Sequence, residues 1–141
     1  QLFDRTWPSK SRYSMDWFYP ILCGVHEKQA AKSLLRAKWK TFVESEKGCR
    51  CVADEPWITA AETSELTIAL ASLGLREDAV ALLSKIFWHQ DRDGGWWTGH
   101  VYLEDIFWPP EKPTWTGAAV ILAIDAIEEL THGHRLFKDH L

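Results

Sequence analysis

Carboxylates recur beside tryptophans along this chain. Asp16 precedes Trp17, Asp54 and Glu55 precede Trp57, and Glu104 and Asp105 precede Trp108. Acids move protons, and aromatic faces hold apolar skeletons, sugar faces or cations. Asp16, Asp54, Glu55, Asp105 and Glu62 are therefore the candidate catalytic residues, with Trp17, Trp57 and Trp108 as candidate substrate-binding walls. Acids also collect at helix N-termini for reasons of capping and dipole alone. Glu62 stands three residues after Thr59 and completes a capping box, which is a sufficient structural reason for it.

Other chemistries find little support. Aligned on a calcium loop, Asp91, Asp93 and Gly94 leave His89 and His100 where carboxylates are needed. Cys49 and Cys51 have the wrong spacing for a zinc ribbon, and His132 and His134 read as a helix end. No metal or cofactor is expected. The net charge of −4 argues against a nucleic-acid partner. No apolar run approaches the roughly 18 residues of a membrane span. Three cysteines make no even framework, so a reducing, cytoplasmic setting is expected.

The elements that must position these residues are helices. In "HEKQAAKSLLRAKWKTFV", Ala31, Leu34, Leu35, Trp39, Phe42 and Val43 mark one buried face. "LREDAVALLSKIFWHQ" is similarly one-faced. "SMDWFYPILCG", with Ser14 as N-cap and Pro20 inside, must be short or kinked. "TAAETSELTIALASLG" and "TWTGAAVILAIDAIEEL" are apolar on most sides and should be buried all round. Buried and one-faced helices alternate, as two concentric layers require. The segment "GVHEKQAAKSLL" is echoed by "GLREDAVALL", and "WITAA" by "WTGAA", so the hairpin repeats.

Gln90, Gly94 and Trp96, with Phe87 and Trp88 ahead of them, match the Q-x3-G-x-W repeat. With "SMDWFYP", "CVADEPWITAAET" and "GWWTGHVYLEDIFWPPEKPTWTGAAVILA", the chain resembles the terpenoid cyclase and prenyltransferase α/α toroids over residues 14 to 130. The resemblance implies an all-α fold and a structural role for Gln90, Gly94 and Trp96, the Gln amide bonding helix ends beneath the Trp. It does not carry the chemistry over. The D-x-D-D acid motif is missing, and no Cys has the Asp two residues ahead that the zinc-binding members use.

The reading that results is an all-α fragment of an α/α toroid. Residues 1–13 form a lead or linker, and 14–141 form one unit of about five helices. The chain begins on Gln, which reads as part of something longer. Uncovered inner helices then predict self-association or contact with a missing N-terminal part. The resemblance implies a prenyltransferase- or cyclase-like protein holding an isoprenoid in an acid-lined aromatic cavity. The alternatives are a carbohydrate-active α/α barrel with paired carboxylates acting on a sugar, and a scaffold without catalysis.

Overall fold

A computed structural model describes residues 8–138. The first part of the expected lead, residues 1–7, and residues 139–141 lie outside the described residues. In chain order the elements are α1 (Ser14–Leu22), α2 (Lys28–Phe42), β1 (Val43–Glu44), β2 (Gly48–Cys49), β3 (Trp57–Thr59), α3 (Ala60–Ser72), α4 (Arg76–Ser84), β4 (Gly99–Val101), β5 (Ile106–Phe107) and α5 (Thr114–Glu128). Single 3-10 turns follow α4 and α5 at Phe87–His89 and His132–Phe137.

The fold is mixed α/β, which corrects the all-α expectation. β1 and β2 form a small antiparallel hairpin, and β3, β4 and β5 form a three-stranded antiparallel sheet. The cause is local. Segments leading into buried helices carry backbone donors and acceptors that must pair, and here they pair with one another. Trp57 faces Val101, Ile58 faces His100 and Thr59 faces Gly99, while His100 and Val101 face Phe107 and Ile106. Paired residues share a face, so Trp57, Val101 and Ile106 lie on one side and Ile58, His100 and Phe107 on the other.

Helix α3 sits at the centre, packed against α1, α4 and α5. All its residues except Glu65 are buried, including the small polar residues Thr63, Ser64, Thr67 and Ser72. Their hydroxyls donate back up the helix, from Thr63 to the Thr59 carbonyl (2.7 Å), Ser64 to Ala60 (2.7 Å) and Thr67 to Thr63 (2.8 Å). Buried hydroxyls satisfied in this way cost the core little. The expected capping box does not form. Thr59 occupies the N-cap position without a side-chain cap, and its buried hydroxyl has no partner, while its carbonyl accepts from the Thr63 hydroxyl.

α1 is joined to α2 by aromatic packing. Trp17 stacks on Phe42 at 5.3 Å between ring centroids and meets Trp39 edge-on at 6.3 Å. Its indole N–H donates to the Leu34 carbonyl at 2.9 Å. Ser14 is the first helical residue rather than the cap, and its N–H donates to the Cys51 carbonyl at 3.0 Å. That bond ties the start of α1 to the segment preceding β3. On α5, Trp115, Ile121 and Leu122 remain exposed along one face.

The Gln90–Gly94–Trp96 loop closes on itself. Gln90 Nε2 donates to the Gly94 carbonyl at 3.2 Å, Gln90 and Trp96 form a β-bridge, and Gly94 adopts φ +85°. The Gln amide therefore serves its own turn and not helix ends, because the turn places the Gly94 carbonyl nearer. Lys112 clamps the outside of this loop, pairing with Asp91 at 2.7 Å and with Asp93, its ammonium over the Trp97 ring.

Under the sheet, His89 is fully buried against Trp88, His100 and Phe107, and neither ring nitrogen has a partner. Burial, with His100 adding repulsion, lowers its pKa to about 4. A base that resists protonation when folded loses stability as pH falls, since the unfolded chain takes up a proton near pH 6.5 that the fold refuses. Unfolding midpoints should therefore fall between about pH 6.5 and about 4, and His89→Phe should flatten that part of the profile. An unchanged slope in the variant would assign the loss to other groups.

Candidate functional site

The start of α1 is tied to the segment ahead of β3. Tyr13, just ahead of α1, bridges Val52, and Tyr13 lines two neighbouring grooves. The first, of about 660 Å³, is lined by Tyr13, Met15, Asp16, Tyr19, Pro20 and Cys23. The second, of about 590 Å³, is lined by Arg12, Tyr13, Glu55, Trp57, Glu104 and Trp108, with Val52, Pro56, Val101 and Ile106 completing its wall. Both volumes fall in the range of small-molecule sites.

Beside the first groove stands a carboxyl pair that spacing alone does not reveal. Glu62 and Glu65 are one turn apart on α3, hence on the same face. The Tyr19 hydroxyl donates to Glu65 Oε2 at 3.1 Å, and Glu62 Oε2 is buried without a partner. Burial, then the charge of Glu62, pushes the Glu65 pKa up to about 7, against the opposing effect of the Tyr19 hydrogen bond. Tyr19 itself is pushed up to about 12 by burial and by Glu65. Cys51, next to Glu62, is also raised to about 12, and burial holds Cys49 well above its ordinary range. These thiols stay protonated at neutral pH and are poor nucleophiles.

The residues singled out from sequence fall in three places. Glu55, Trp57 and Trp108 come together in the second groove, where the two indoles meet edge-on at 5.4 Å. Asp54 stands exposed beside them, paired with Arg12 at 2.8 Å, and that hydrogen bond holds its carboxyl below the usual range. Arg12 also reaches Glu55 at 3.2 Å. Asp16 lines the first groove from the first turn of α1. Asp105 lies elsewhere: left-handed at φ 56°, it accepts from His100 Nε2 at 3.1 Å, while its neighbour Glu104 lines the groove. Trp17 is sealed in the core and presents no surface to a ligand.

Gly99 sets the position of Trp57. A Cβ there would come within 2.5 Å of the Trp57 indole nitrogen and 2.6 Å of the Ile58 carbonyl. Glycine lets the indole lie across β4, where its N–H donates to the Trp108 carbonyl at 2.8 Å. Glu65, Tyr19, Tyr13 and Arg12 were not singled out from sequence. For Glu65 the signal was available, since an acid on a helix otherwise buried all round must face something other than core.

Among the described residues, no group of three or more His, Cys, Asp or Glu is arranged to hold a metal ion. No described helix is long and apolar enough to cross a membrane. No family model matches the chain. It is 42% identical over 130 residues, 92% of its length, to the MMP endo-(1,4)-3-O-methyl-alpha-D-mannosidase of Mycolicibacterium hassiacum. The match covers 36% of that protein, so the chain spans about a third of the length of the curated relative it matches. This likeness overturns the resemblance to terpenoid cyclases and prenyltransferases, and with it the isoprenoid reading. A one-copy Q-x3-G-x-W loop that only closes its own turn can arise in any helical-hairpin protein, which is why it misled.

The coupling within the acid pair gives a direct expectation. Glu62→Gln removes the charge that disfavours ionisation of Glu65, so the Glu65 pKa should drop from about 7 while burial keeps it above the ordinary carboxyl value. Carboxyl chemical shifts followed against pH would show this, and an unmoved titration would mean the two groups do not sense each other.

Proposed function

We propose that this chain forms part of a carbohydrate-active enzyme that cleaves (1,4)-linked 3-O-methyl-α-D-mannosides within the chain. The observation that carries the reading is Glu65, a carboxyl with a pKa of about 7 that neighbours a second acid and accepts a hydrogen bond from Tyr19, a residue of the first groove wall. Glycoside hydrolysis needs such a proton donor together with an ionised carboxylate. The relative whose printed activity is of this class supports the same choice. The carbohydrate alternative is thus the better supported of the sequence readings.

In this mechanism Glu65 gives its proton to the glycosidic oxygen as the bond to the anomeric carbon breaks. Asp16 lies three residues before Tyr19 on α1, so it faces the same groove, and it takes the proton from the water that adds to the anomeric carbon. Glu62 is a positioning residue, keeping Glu65 protonated near neutrality. Tyr19 orients the acid through its hydrogen bond. Trp57 and Trp108 provide ring faces for a sugar further along, with Glu55 and Arg12 as polar partners at the rim. Asp54 acts through Arg12, while Asp105 pairs with His100 away from the groove and has no part in the step. Three free thiols fit a reducing, cytoplasmic setting.

The test is the release of reducing ends from a 3-O-methylated (1,4)-α-D-mannose oligosaccharide. The protein should cut internal linkages, with the rate falling as pH rises through about 7, where Glu65 loses its proton. Glu65→Gln should slow the reaction by roughly 100-fold or more and abolish that limb of the pH profile, and Asp16→Asn should be comparably slow. Cleavage at full rate by the Gln variant, or none by the unaltered protein, would sink the assignment.

A further inference from the structure

We infer that the second groove is a remote subsite that reads the 3-O-methyl group of a sugar not being cleaved, with Trp108, Trp57 and Ile106 as the specificity-determining residues. The inference rests on the proposed action on methylated mannosides and assigns their recognition to named side chains.

Three observations converge. The groove wall is apolar: Trp57, Val101 and Ile106 share one sheet face, Trp108 meets Trp57 edge-on, and Pro56 and Val52 close the ends. The indole donor of that wall is already spent, because the Trp57 N–H is held by the Trp108 carbonyl at 2.8 Å. Its charged groups sit at the rim, where Arg12 is engaged by Asp54 and Glu55. A sugar hydroxyl pressed onto the Trp57, Val101 and Ile106 face would lose water and find no partner on that face. A methyl ether at the same position has no proton to satisfy and adds apolar surface, so the wall favours it.

Continuity places this groove along the path of one chain. Tyr13 lines both grooves, and Tyr19 in the first touches Glu65. An oligosaccharide crossing Tyr13 would place one residue at Glu65 and another against Trp57 and Trp108. Cleavage within a chain requires this kind of hold on both sides of the scissile bond.

The experiment is calorimetric titration of the full chain with two (1,4)-α-D-mannotetraoses, one 3-O-methylated and one unmodified. The methylated form should bind at least about tenfold tighter, the discrimination a single methyl in an apolar pocket typically provides. Trp108→Ala keeps the carbonyl that holds Trp57, and Ile106→Ala trims a side chain that is 44% exposed. Each should bring the two affinities to within about twofold, whereas Glu65→Gln should keep the preference. Equal binding of the two sugars, binding of neither, or a preference that survives both groove variants would overturn the inference. A preference for the methylated sugar without cleavage would leave this subsite standing and sink the hydrolytic reading instead.

Discussion

Helix α3 is enclosed by α1, α4 and α5, so each polar group it carries must be satisfied within the helix or stand at its open end. Thr63, Ser64 and Thr67 take the first course by donating to carbonyls one turn back. Glu65, the one residue of α3 that is not buried, takes the second, while Glu62 is the exception, buried with its Oε2 unpartnered. At a helix N-terminus the dipole favours the ionised carboxylate, typically by no more than about 1 kcal/mol. Glu65 lies beyond the first turn, where that help has faded, and burial and the neighbouring acid raise its pKa to about 7. The same enclosure that makes α3 the centre of the core thus creates the unusual acid at its edge.

The three-stranded sheet does for the aromatic residues what α3 does for the acids. Its pairing sends Trp57, Val101 and Ile106 to the groove and Ile58, His100 and Phe107 to the layer over His89. A shift of one residue in register would exchange the two sets, burying the groove wall and exposing an unpaired imidazole layer. Gly99 holds this register, since no larger residue fits between Trp57 and the Ile58 carbonyl. The groove and the core beneath it are therefore two faces of one constraint.

The helices were legible because apolar residues recur with the helical period over nine to fifteen residues. The period did not separate enclosed from one-faced segments: α3 is enclosed as expected, whereas α5, expected to be buried all round, leaves Trp115, Ile121 and Leu122 exposed. The strands were not legible, because two or three residues cannot display a period of two. Glu55, Trp57 and Trp108 share a groove because β3 and β5 belong to one sheet, a pairing that short strands do not announce in sequence. Glu65 escaped notice because Glu62 had been explained as half of a capping box, and the geometry that denies the box is visible only when the Thr59 hydroxyl is located. Trp17 shows the opposite difficulty: an acid beside a tryptophan is the same pattern whether the ring faces a groove or stacks on Phe42 in the core.

The uneven burial of the cysteines has a practical consequence. Cys49 and Cys51 are enclosed near the acid pair with their thiols held in the protonated form, whereas Cys23 is exposed and borders the groove that contains Asp16 and Tyr19. To an electrophile at neutral pH this three-cysteine chain behaves as a single-thiol protein. A dye or spin label attached there reports from the rim of the acid-bearing groove, with no engineered residue and no background from the core.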